Sequence, residues 1–123
     1  MIAFVSGHLD LTQEEFEQHY CDQINDAITL HHTFVIGDAA GADKMAQYLI
    51  KALCGHAIIY HTHQTPRNNA GFPTRGEYPS QTAKDAAMTA ASDYDIAWVR
   101  PGREKSGTAR NLERRKKRNE EFL

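Results

Sequence analysis

Thr33-Phe34-Val35-Ile36-Gly37-Asp38-Ala39-Ala40-Gly41-Ala42-Asp43 passes from an apolar run, through a turn of small residues, into a helical pattern. Residues 33–36 predict a buried strand and residues 37–41 the turn that ends it. Met45, Leu49 and Leu53 recur at helical spacing, so a helix begins near Asp43, with Gly55 as its stop. A strand that turns directly into a helix is half of a β-α-β unit.

The same alternation extends in both directions. On the N-terminal side, residues 2–5 form an apolar run closed by Ser6-Gly7-His8. Thr12 and Glu15 have the spacing of a capping box, and Phe16, Tyr20, Ile24, Ala27 and Ile28 make the buried stripe of the helix it starts. On the C-terminal side, residues 57–60 read as a third strand. Residues 61–79 hold three prolines and two glycines without a period, a long connection of the kind that is either functional or mobile. Ser80 or Thr82 caps a third helix reaching about Ala91, residues 95–99 form a fourth strand, residues 101–106 a loop, and residues 107–120 a last helix. Strands alternating with helices predict an α/β fold: three layers, α/β/α, around a mainly parallel sheet of four or five strands. Four strands is few for this class, so either a short unrecognised strand or a second copy of the chain completes the edge, and a homo-oligomer is expected.

Composition sets the outer limits. The chain of 123 residues is 41% hydrophobic and 24% charged, ordinary for one globular domain spanning residues 1–123. A net charge of −2 does not suggest nucleic acid as a partner. Cys21 and Cys54 lack metal-ligand or disulfide-framework spacing. The absence of a long apolar run or a signal-peptide pattern makes a cytoplasmic protein the expectation. His61 and His63 share a strand face, but no third ligand has suitable spacing, so neither metal nor cofactor is expected. The basic run Arg114-Arg115-Lys116-Lys117-Arg118 reads as the last turns of a surface helix, where cations suit the helix dipole, rather than as a nucleic-acid tail.

In such sheets ligands bind outside the carboxyl ends of the strands. Three small-residue turns fall there: Ser6-Gly7-His8, the run from Gly37 to Asp43, and Ser106-Gly107-Thr108. Glycines such as Gly7, Gly37, Gly41 and Gly107 allow an anion to approach the backbone, and the following helix offers free N–H groups. Ser6, Ser106 and Thr108 add hydroxyls, and His8 and Ala39 lie within the same turns. The pattern is neither the dinucleotide fingerprint, because the first turn lacks three glycines, nor a Walker A loop, because no Gly-Lys-Ser/Thr occurs. The chain therefore reads as binding a phosphate-bearing small molecule, with no membrane role.

Individual charged residues carry two readings each. Asp43 either satisfies free N–H groups at the helix start or meets the ligand, and Asp38 either bonds a ribose hydroxyl or is solvated. Arg67 and Arg75, in the long loop, either clamp a phosphate or face solvent. Phe72 and Tyr78 stack on a base or pin the loop. Trp98 reads as core, and Asp95 as a brace for the site. Cleavage of an N-glycosidic bond needs a carboxylate beside the ribose to steady positive charge and orient water; Glu113, Asp38 and Glu77 are the candidates.

These turns resemble those of the SLOG superfamily, the Rossmann-like fold shared with the lonely-guy phosphoribohydrolases and DNA-processing protein A, and more closely the small YpsA-related SLOG proteins. The likeness covers nearly the whole chain. It lies in Ser6-Gly7, in the run from Gly37 to Asp43, which is similar to the family's Gly-Gly-Ala-x-Gly-Ala-Asp, in Asp85 and Met88, and in Gly107-Thr108. Asp38 replaces the second glycine, and Lys84 stands where arginine is usual. The late loop, residues 101–108, resembles a lengthened Pro-Gly-Gly-x-Gly-Thr turn, and Asn111 occupies the place of that family's glutamate, with Glu113 two residues on. The resemblance implies binding of a nucleotide-derived ligand. Its alternative is hydrolysis of a nucleoside monophosphate, as by a phosphoribohydrolase or a deoxyribosyltransferase-like enzyme.

Overall fold

The computed structural model describes residues 1–121. Strands β1 (Ile2–Val5), β2 (Thr33–Gly37), β3 (Ala57–Tyr60), β4 (Thr74–Arg75) and β5 (Tyr94–Ile96) form one sheet in the order β4-β3-β2-β1-β5. Every pairing is parallel, with Phe4 opposite both Val35 and Asp95, and Val35 opposite Ile58. Strands buried on both faces need apolar side chains in both directions, which is why β1 to β3 read as unbroken apolar runs.

Alternate residues serve opposite layers. Ala3, Val5, Phe34, Ile36 and Ile59 pack with Phe16, Ile24, Ala46 and Ile50 of α1 (Gln13–His19), α2 (Cys21–Thr29) and α3 (Ala42–Ala52). Phe4, Val35 and Tyr60 pack on the other face with Met88 of α4 (Gln81–Ala90), beside which lies α5 (Gly107–Glu121). The result is a Rossmann-like three-layer α/β/α arrangement. The chain steps outward from β1 through β4, then returns to the far side of β1 to form β5. That reversal opens a crevice at the carboxyl ends of the strands.

Four local expectations change. The first predicted helix divides at Tyr20 (φ −126°, ψ −39°), whose ring enters the core and whose hydroxyl donates to Ser6 O at 2.7 Å. Cys54, at φ 58°, takes the left-handed position after α3, one residue before Gly55. The long loop contains β4, too short to show a two-residue period. The last strand is paired only to Ile96, because β1 ends at Val5; beyond it Trp98 N donates to Tyr20 Oη and Arg100 N to His8 Nε2. Trp98 is half-buried and stacks on His19 with ring centroids 3.9 Å apart.

The basic run on α5 is also more committed than a solvated helix end. Arg115 is buried against Asp95 and Ser92, and Arg118 donates to Thr89 O and Ser92 O, carbonyls at the C-terminal end of α4. These cations serve the neighbouring helix rather than the dipole of their own. Asp95 accordingly braces α5 rather than the crevice. No described helix is long and apolar enough to cross a membrane.

Candidate ligand-binding site

A cavity of about 410 Å³ lies in the crevice, between the ends of β1 and β2 and the facing parts of α4 and α5. The sequence-predicted residues Ser6, Gly7, His8, Gly37, Ala39, Asp43, Arg67, Ser106, Gly107 and Thr108 line it. Gly41, Asp38, Arg75, Glu77 and Glu113 do not. Gly41 instead forms the turn before α3. It has φ 72°, and a Cβ there would strike His8 O and Leu9 O. Arg75 sits over the Tyr60 ring at 5.8 Å, and Glu77 and Glu113 are exposed.

Gly37 brings the backbone close to two charged side chains of the cavity. A Cβ there would lie 2.5 Å from Asp43 Oδ2 and 3.0 Å from Lys84 Nζ. Asp43 Oδ2 also accepts from Ala39 N at 3.2 Å, so it closes the β2–α3 turn rather than capping the first N–H groups of α3. Burial pushes the Asp43 carboxyl up to about 7, against the pull of Lys84 and the Ala39 hydrogen bond. Burial likewise raises Asp85, opposed by Lys84 and Arg114.

Lys84 is 4% exposed and lines the cavity from α4. Its Nζ makes no hydrogen bond among the described residues, and its ion-pair partner, Asp85 Oδ1, stands at 3.9 Å. Across the floor, the buried Ser6 Oγ also has no partner. Ser6 is thus a buried polar group without its usual partner, and the Lys84 ammonium opens onto the same cavity. At the N-terminus of α5, Ser106 Oγ accepts from Ala109 N at 3.2 Å, which fixes the first turn. The Gly107 and Thr108 backbones then border the cavity.

His8 is buried, and its Nε2 accepts the Arg100 N–H at 2.8 Å, which places the ring proton on Nδ1. Burial, then Arg103 and Arg100, lowers its pKa, so the ring is held neutral. Asp38 is wholly buried and takes three hydrogen bonds from Arg67: from N at 2.8 Å, Nε at 3.3 Å and Nη2 at 2.9 Å. Burial opposes its ionisation, but the Arg67 bonds together outweigh it and hold the carboxyl below its ordinary range. Gln47, also fully buried, donates to Gly37 O and Asn68 O and accepts from Ala70 N. Asp38 and Gln47 therefore fasten the long loop to the end of β2.

Sequence reasoning from the turns alone missed Leu9, Gln81, Arg103 and Arg110, which complete the lining with Phe4, Lys84, Asp85, Met88 and Asn111. Met88 lies four residues from Lys84 and three from Asp85 on α4, spacings that set it beside both on the helix surface. Among the described residues no cluster of three His, Cys, Asp or Glu side chains is placed to hold a metal ion. No family model, curated protein or solved structure gives a significant match to the chain.

Proposed function

We propose that the chain binds a phosphate-bearing, nucleotide-derived small molecule in this cavity, as a member of the SLOG superfamily. One observation carries the reading: the buried Lys84 ammonium, without a hydrogen-bond acceptor, in a floor that also holds the unpartnered Ser6 hydroxyl and faces the N-terminus of α5. A phosphate would give acceptors to all three donor types at once. Calorimetry with nucleoside 5′-monophosphates and the matching nucleosides tests this. The monophosphates bind more tightly, Lys84→Met weakens them at least about tenfold, and Thr108→Ala costs about 0.5–2 kcal/mol of binding. Equal affinity for nucleosides, or unchanged monophosphate binding by a folded Lys84→Met protein, removes phosphate from the site.

A second reading is cleavage of the N-glycosidic bond of such a ligand. Two carboxyls raised by burial, Asp43 to about 7 and Asp85, line the same cavity, and raised carboxyls suit proton transfer. Glu113, Glu77 and Asp38 stand outside the lining, so the chemistry would fall to Asp43 or Asp85. Release of free base from a nucleoside monophosphate, abolished in Asp85→Asn, would establish it.

A further inference from the structure

Among the described residues, cationic side chains outnumber carboxyls in the cavity lining, where the acidic members are Asp43 and Asp85. Besides Lys84 in the floor, three arginines from three segments reach its rim: Arg67 from the β3–β4 loop, Arg103 from the loop before α5, and Arg110 from α5. They are not equally held. Arg103 reaches Asp10 at 3.6 Å in a pair that is exposed on both sides, and Arg110 donates to Lys105 O from an exposed position. Arg67 differs, because its Nε and Nη2 are fixed by a carboxylate with no solvent exposure while its side chain remains 42% exposed. Ordering of that kind lowers the entropy lost when the remaining guanidinium donors, with Nη1 uncommitted, take an acceptor.

The placement of Arg67 relative to Lys84 matters. Lys84 Nζ lies beside Gly37, and Arg67 is anchored on Asp38, the next residue. Consecutive Cα atoms are about 3.8 Å apart, so the buried cation and the fastened guanidinium are referenced to neighbouring points on one strand end. The backbone of this segment is held from below by Gln47, which donates to Gly37 O at 3.0 Å, and Asn68 Nδ2 adds a bond to Asp38 O at 2.9 Å.

We infer that the ligand carries a second phosphoryl group adjoining the one seated on Lys84, making it a nucleoside diphosphate or a diphosphate-linked derivative, with Arg67 as the contacting residue and Asp38 as its positioning residue. This rests on the reading of the cavity as a nucleotide site. Asp38 contributes no ligand contact. Its effect passes through Arg67, so loss of the carboxylate frees the guanidinium without removing it.

The test is calorimetry with adenosine, uridine, cytidine and guanosine 5′-monophosphates and 5′-diphosphates on the parent, Arg67→Gln, Arg67→Lys and Asp38→Asn. The diphosphate of at least one nucleoside should bind about tenfold or more tighter than its monophosphate. Arg67→Gln should erase that ratio, weakening diphosphates by about tenfold more than monophosphates. Arg67→Lys should keep part of the ratio, and Asp38→Asn should reduce it with the arginine still present. If the parent shows no diphosphate preference, or if Arg67→Gln weakens mono- and diphosphates alike, the second subsite is overturned while the phosphate site on Lys84 stands. If no nucleotide binds the parent at all, both readings fall. Circular dichroism establishes that each variant is folded. Should Asp38→Asn or Arg67→Gln not fold, Arg67→Lys, which keeps a cation beside the buried Asp38, decides the matter alone: an unchanged diphosphate ratio in that variant overturns the second subsite.

Discussion

Lys84 and Arg115 are both buried cations of the α4–α5 layer, yet their surroundings differ in kind. Arg115 is matched on several sides: Nε and Nη2 to Asp95 Oδ1, Nη1 to Ser92 O and Nη2 to Ser92 Oγ. Lys84 has one carboxylate at 3.9 Å and an open cavity. A buried charge costs several kcal/mol to desolvate, and the cost is recovered only through close partners. Arg115 recovers it inside the protein, where it ties α5 to the end of α4 and the base of β5. Lys84 instead opens onto the cavity, and under the proposed function a phosphate is the group that partners it there. On the proposed reading, the difference separates a structural charge from a ligand-binding one more sharply than residue type or burial alone.

The largest effect should come from breaking the structural pair. Arg115→Met leaves Asp95 buried, with Oδ2 already lacking a partner, and should cost about 3–5 kcal/mol in urea unfolding. Replacing both members, as Arg115→Met with Asp95→Leu, should restore most of that loss. If the single variant costs under about 1 kcal/mol, the contrast with Lys84 is lost.

Asp43 should give the next largest effect, and it depends on pH. Its folded pKa, about 7, lies above the ordinary carboxylate value of 3.8. A raised pKa means that the folded state holds the proton more tightly. The stabilisation is therefore complete below about 4 and disappears as pH rises through about 7. Asp43→Asn should remove this pH dependence, on the order of a few kcal/mol. Unfolding free energies measured from pH 4 to 8 should be similar at the acid end, with the variant gaining on the parent as pH rises. A constant difference would show that Asp43 does not titrate in this window.

Arg118→Ala removes two hydrogen bonds to the α4 carbonyls of Thr89 and the adjoining Ser92, from a half-buried side chain, and should cost about 1 kcal/mol. The smallest stability effect belongs to Lys84→Met, within about 1 kcal/mol of the parent. Its ammonium has no hydrogen bond to lose, and its carboxylate neighbours are already displaced toward the protonated form. Together with lost ligand binding, that near-neutrality would sharpen the comparison. A loss approaching that of Arg115→Met would make Lys84 a structural residue too.

The alternation of apolar runs with helical stripes was enough to place β1, β2, β3 and their helices, because buried parallel strands leave a continuous apolar signature and Thr12 with Glu15 form a local capping box. The small-residue turns were legible for a similar reason: Gly41 must adopt φ 72°, and Gly37 must leave room for Asp43 and Lys84. β4 was not, since two residues cannot show a period. Nor could sequence choose between the readings of Asp38 and Arg67. Asp38 meets Arg67 across 29 positions, and Gln47 joins a helix to a loop 21 and 23 positions away.

What the amino-acid order determined by itself was the set of elements and the end of the sheet where small residues gather, because backbone conformation and burial period are properties of neighbouring residues. Only the tertiary structure decided which charges are satisfied. Sequence placed Lys84 in a motif, Arg115 and Arg118 in a basic helix end, Asp43 at a helix start, and Asp38 and Asp95 beside turns or strands, without naming a partner for any of them. Their separate roles follow from partners brought in across the fold, since an electrostatic interaction is set by distance and burial rather than by position along the chain.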